Sequence, residues 1–170
     1  MAGFTVLDRQ ERNLKMALSW RREGDEFEVS TDTARLDLAA VHSFLTNSYW
    51  AAGIPLETVA QSMQNSLCFG IYRGHEQLGF ARVVTDRATF AYLADVFVLP
   101  AFRGRGLAKW LMECILSHPD LQGLRRWSLI TRDAHGLYQA FGFQALRTPE
   151  RWMEKHNPEV YARMNTTRVP

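Results

Sequence analysis

The sequence predicts an α/β fold, a mixed and mostly antiparallel sheet flanked by helices, and three observations carry that prediction. Residues 67–99 hold three β-rich runs in succession, LCFGIYR, EQLGFARVVTD and ATFAYLADVFVL, bounded by turn-forming residues. Behind them, GLAKWLMECILS over 106–117 puts apolar residues at nearly every core-facing helical position, so this helix should lie against the sheet. A further β-rich run, RRWSLIT over 125–131, follows that helix, and a strand reached by a helical crossover runs parallel to the strand before it.

The remaining elements follow in chain order. Residues 1–25 read as an N-terminal leader, partly helical or flexible: Leu14 and Leu18 have helical spacing within a highly charged stretch. A single domain is expected over 26–170. Phe27 and Val29 alternate with polar neighbours as a short strand, and Asp37 opens a helix whose Leu38, Val41 and Leu45 share one face. A second helix is predicted over Pro55–Ser66, with proline in its first turn. Gly74 supplies the turn of a hairpin between the first two strands of the 67–99 block. Asp133 is the expected N-cap of a short helix, AHGLYQAF, Gly142 its expected stop, and FQALRT a last strand.

Composition narrows the class. With 170 residues, 46% of them hydrophobic and 22% charged, and a net charge of +2, the chain has the arithmetic of one compact domain rather than a disordered or fibrous protein. Its apolar stretches are interrupted by charge well short of the roughly 20 residues that a spanning helix needs. The start lacks the apolar segment of a secretory signal, so a cytoplasmic location is expected. Cys68 and Cys114 stand in apolar surroundings and are expected to be reduced core residues; with His118, Cys114 offers two ligands where a zinc site takes three or four.

The small net charge hides an asymmetry. Residues 103–151 carry eight Lys or Arg against four acids, while the rest of the chain carries twelve against fourteen. Within the basic stretch, VLPAFRGRGLA ends a strand and opens a helix. Gly104 and Gly106 let the backbone approach a ligand, and the free N–H groups of the helix start favour an anion, with pyrophosphate the natural guest. A Walker A loop, GxxxxGK[ST], is absent, and a dinucleotide fingerprint would need a small residue where Lys109 stands.

The segment VLPAFRGRGLA resembles motif A of the GNAT N-acetyltransferase superfamily, whose pattern [QR]-x-x-G-x-[GA] is matched by Arg103, Gly106 and Ala108. The later DAHGLYQAFGF is similar to the family's motif B, with Asp133 where asparagine is common and Tyr138 ahead of Gly142 and Phe143. The resemblance spans roughly residues 27–155. It implies acetyl-CoA-dependent transfer of an acetyl group to the amine of a small molecule or peptide, on a sheet whose central parallel strands splay apart. Pantetheine would lie in the gap beside Phe97 and Val98. The backbone from Arg103 through Gly104, Arg105, Gly106 and Leu107 to Ala108 would hold the pyrophosphate, with Asp133 and Tyr138 closing the cofactor site. No metal, nucleic acid or membrane partner is implied, and relatives are monomers or homodimers.

The reaction itself sets further requirements. An attacking amine must lose a proton, developing oxyanion charge needs an N–H donor, and the leaving thiolate is helped by an acid. Tyr138, one turn into its helix, is the expected acid. Asp95 is the candidate base or amine-binding carboxylate, because an acid inside an apolar strand is costly unless paired or useful; a structural hydrogen-bond role is the other reading. An apolar acceptor wall is expected from Tyr49, Trp50, Ile54, Trp152 and Met153. The alternative function is a non-catalytic CoA-binding regulatory module; a nucleic-acid binder is disfavoured because no basic helix face is interleaved with stacking aromatics.

Overall fold

The computed structural model describes residues 17–166. Six strands form one sheet in sequence order: β1 (Ser19–Arg21), β2 (Phe27–Ser30), β3 (Leu67–Arg73), β4 (Glu76–Thr85), β5 (Phe90–Val98) and β6 (Arg126–Ser128). Every neighbouring pair is antiparallel except β5 and β6, which run parallel as the crossover predicts. Helices α1 (Leu38–Leu45) and α2 (Leu56–Gln64) join β2 to β3, α3 (Leu107–Ser117) joins β5 to β6, and α4 (His135–Gln139) and α5 (Val160–Thr166) follow.

Period-2 alternation divides the sheet between two cores. One face sends Val29, Phe69, Ile71, Ala81 and Leu93 against Leu107, Leu111, Cys114 and Ile115 of α3. The opposite face sends Cys68, Phe80 and Phe97 against Val41 and Leu45 of α1 and Val59 of α2. Each apolar stripe found in the sequence thus has a sheet face to cover, and burial of these side chains is the main favourable term in the fold. Both cysteines are buried and free, with thiols pushed up to about 12 by desolvation, which makes them packing groups rather than nucleophiles.

Caps agree with the sequence at two helix ends. The Asp37 carboxylate accepts the Ala40 N–H at 2.9 Å. Gly142, at φ +83°, closes α4: its N–H reaches the Gln139 carbonyl at 3.0 Å and the Phe143 N–H reaches the Tyr138 carbonyl at 3.2 Å.

Four expectations are corrected. Ser19–Arg21, inside the predicted leader, is a strand paired with Glu28–Ser30, while Leu14 lies outside the described residues. The strand predicted over 125–131 is confined to Arg126–Ser128. Residues 143–148 form no strand: the Phe143 N–H is committed to the end of α4, and a three-residue β6 offers little edge to pair with. Asp133 does not cap α4. Ala134 occupies the N-cap position and its N–H donates to Thr131 Oγ1 at 3.0 Å, leaving Asp133 exposed in a 3.7 Å ion pair with Arg132. Helix α5 was not expected from the sequence.

Candidate active site

The centre of the sheet contains a one-residue irregularity with large consequences. Between the pairs Phe80↔Phe97 and Arg82↔Ala94, β4 advances two residues while β5 advances three, so β5 carries a bulge. Asp95 sits in it at φ +55°, a left-handed conformation that aspartate tolerates better than most residues. The extra residue reverses the parity of β5. Ala91 and Leu93 face α3, and Phe97, which would otherwise follow them, faces α1 and stacks on Phe44 at a centroid distance of 3.8 Å.

Beside the bulge the sheet opens. β5 and β6 pair only over Phe90–Tyr92 and Arg126–Ser128, after which β5 runs on to Val98 with no strand at that side among the described residues. This is the splayed pair of parallel strands that the motif resemblance implied. A chain of contacts spans the opening. Arg82 and the Asp95 carboxylate form an ion pair across β4 and β5, Arg82 also reaches Ser66 Oγ at 3.3 Å, and Trp50 Nε1 donates to Asp95 Oδ1 at 3.1 Å. Tyr49 packs edge-on against Trp50, accepts the Arg132 N–H at 3.1 Å on its hydroxyl, and carries the Arg132 guanidinium 3.7 Å above its ring. The α1–α2 loop therefore ties β5 to the segment that leaves β6.

At the far end of β5 the glycine loop takes a conformation that L side chains disfavour. Gly104 and Gly106 both lie at φ +76°, and nothing stands within 4 Å of where a Cβ would be at either position. The first helical hydrogen bond runs from the Trp110 N–H to the Gly106 carbonyl at 3.0 Å, so the N–H groups of Leu107, Ala108 and Lys109 precede it. Leu107 contributes backbone only, because its side chain is buried in the α3 core. Arg103 turns back on β5, its Nε donating to the Val98 carbonyl at 3.1 Å, while Arg105 lies over Phe102 at 5.6 Å.

Tyr138 is buried against the core that α3 forms, and burial pushes its phenol up to about 12, with Tyr49 and Asp133 adding to the effect. It also lines a cavity of about 690 Å³ together with Tyr92, residues 127–131, residues 143–146, Trp152 and Met153. The five expected acceptor-wall residues are therefore divided. Tyr49 and Trp50 bridge the opening, Trp152 and Met153 line the cavity, and Ile54 does neither: it is buried among Val41, Leu45 and Val59, and its carbonyl meets His42 Nε2 at 3.0 Å. The Asp95 carboxylate is engaged on both oxygens, one by Arg82 and the other by Trp50. Arg82, Thr131 and Arg132 were missed in the sequence. Only Arg82 left a signal there, as a charged residue inside an apolar strand.

Residues 64–145 match the model of an acetyltransferase (GNAT) domain. A Gibberella zeae protein named provisionally as an acetyltransferase is 33% identical over 149 residues, covering 74% of this chain and 82% of that one. A Xanthomonas campestris structure, described with the same reserve as a GNAT-family acetyltransferase, is 50% identical, covers 80% of this chain and 96% of its own, and superposes with a TM-score of 0.78. A Clostridium acetobutylicum structure described as an acetyltransferase with acetyl-CoA shares the fold at 15% identity and a TM-score of 0.56, covering 83% of this chain and 96% of that one. The bulged and splayed strands, the open glycine loop at the head of α3 and these likenesses lead to one conclusion: the chain belongs to the GNAT family of acetyltransferases.

Proposed function

We propose that this protein transfers the acetyl group of acetyl-CoA to the amine of a small molecule or peptide. The observation that carries the reading is the opening between β5 and β6: β5 runs on beyond it to the two left-handed glycines ahead of α3, and Tyr138 lines a cavity with Tyr92 and residues 127–131 where the two strands part. The residues present fit the cofactor. Residues 99–112 contain Arg103, Arg105 and Lys109 and no acid, and both left-handed glycines face open space. Phe97 and Val98 lie on the stretch of β5 beyond its pairing with β6, and Asp133 comes two residues ahead of α4.

When bound, acetyl-CoA supplies an activated thioester. The chain's part is to orient it and to manage protons. The Arg103 N–H is committed to the Pro100 carbonyl at 3.3 Å, so the backbone N–H groups from Gly104 to Ala108 would hold the phosphates, and β5 beyond Tyr92 would offer its backbone to the pantetheine. Tyr138, fully protonated at neutral pH, donates a hydrogen bond where thiolate charge develops. Asp95 acts as a positioning residue, fixing Trp50 and through it the loop that carries Tyr49.

Thermal shift with acetyl-CoA, followed by thiol release against an amine panel, tests the reading. Saturating acetyl-CoA should raise Tm, because a ligand bound only by the folded state stabilises it. An unchanged Tm would remove the cofactor assignment. A raised Tm without thiol release from any amine would favour the non-catalytic CoA-binding module.

A further inference from the structure

We propose that the acceptor is a monoamine with an apolar body, seated in the 690 Å³ cavity beside Tyr138. This rests on the acetyl-transfer reading and names the substrate class that the same site takes. The cavity is of a size that suits a small molecule. Among the described residues nine large hydrophobic side chains are exposed, and four of them, Ile130, Leu146, Trp152 and Met153, line this one cavity. Exposed apolar surface gathered at one concave site marks a binding surface rather than ordinary scatter. Tyr138 opens into the same space, so a body held there brings its amine toward the residue expected at the leaving thiolate.

Charge selects further. Among the described residues that line the cavity Glu154 is the one carboxylate and none is Lys or Arg, the nearby Arg126 guanidinium lying over the Trp152 ring at 5.2 Å; one carboxylate matches a single ammonium group. Around it, residues 125–155 carry six Lys or Arg against three acids, and that surplus disfavours a polycation. Polyamines and lysine-rich peptides are therefore poor candidates.

The test uses the full chain with acetyl-CoA and four probes: 2-phenylethylamine, isopentylamine, ethanolamine and spermidine. Thiol release gives kcat/KM, and calorimetry gives amine binding with and without CoA. The two apolar monoamines should be favoured by about tenfold or more over the other two. Met153→Glu and Ile130→Glu, at positions 96% and 79% exposed and so tolerant of a charge, should raise KM for apolar amines about tenfold while leaving KM for acetyl-CoA unchanged. Glu154→Gln should weaken the same amines in calorimetry. Equal or better turnover of spermidine or ethanolamine, or an unchanged KM in both glutamate variants, overturns the proposal. If acetyl-CoA fails to bind, the transfer reading falls on its own, and calorimetry still decides whether the cavity selects apolar amines.

Discussion

The Tyr49 hydroxyl accepts a hydrogen bond from the backbone N–H of Arg132 at 3.1 Å, although 83 residues separate them in the chain. With Trp50 bound to Asp95, this contact makes the α1–α2 loop a strap across the opening between β5 and β6. Tyr49→Phe removes the acceptor and keeps the ring, so its stability cost should be small, about 0.5–1.5 kcal/mol. Its kinetic cost should be larger in the amine step: kcat/KM for the amine falls about tenfold, with acetyl-CoA affinity unchanged. Steady-state kinetics beside isothermal titration with CoA checks both halves.

Asp95 combines an ion pair with a left-handed backbone, and two variants separate the contributions. Asp95→Asn keeps the side-chain shape and tolerates φ +55° but loses the charge facing Arg82, for an expected loss of about 1–3 kcal/mol. Asp95→Ala should lose about 1 kcal/mol more, because alanine disfavours the left-handed region. Urea denaturation measures the order. A variant Asp95→Asn that folds normally yet loses kcat at neutral pH would restore the base role.

Gly104 and Gly106 are required for their backbone and not for lack of room, since open space surrounds both Cβ positions. Alanine at either should destabilise by about 1–2 kcal/mol through its φ alone. KM for acetyl-CoA should rise with KM for the amine unaffected, measured by varying each substrate in turn.

Tyr138→Phe should reduce kcat about a hundredfold, within the range of general acid catalysis. Because burial pushes the Tyr138 phenol up to about 12, the group stays protonated throughout an ordinary assay. The loss should therefore be uniform between about pH 6 and 10 rather than shifting one limb of the profile. Full retention of kcat across that range would exclude the acid role.

Alkaline stability follows from four buried groups. Cys68 and Cys114 rise from 9.0, and Tyr72 and Tyr138 from 10.0, each to about 12. A raised folded pKa gives stability that is fully present below the unfolded value and is lost as pH climbs toward the folded one. Tm should stay level with respect to these groups below about pH 8.5 and fall steadily between about 9 and 12. Calorimetric scans across that range measure it.

Much of the site was legible because its determinants are local. The glycines of RGRG announce a backbone that L side chains disfavour, the apolar stripes assign α1 and α3 to sheet faces, and Gly142 stops α4 where a left-handed residue is needed. Asp95 also stood out, as a charge in an apolar strand. Its partner Arg82 could not be assigned, because that pairing depends on the register between β4 and β5.

The sequence by itself therefore determined the order of elements from β2 to α4, the glycine loop ahead of α3 and the family resemblance, each encoded in residues close together along the chain. Tertiary structure alone decided the rest. The bulge at Asp95 reversed the facing of Phe97, since one inserted residue shifts a period-2 pattern by half its repeat. The strap from Trp50 to Asp95 and from Tyr49 to Arg132, the core position of Ile54 and the return of residues 143–154 to form the cavity beside Tyr138 all join distant segments. Such contacts are set by how the sheet and its helices pack.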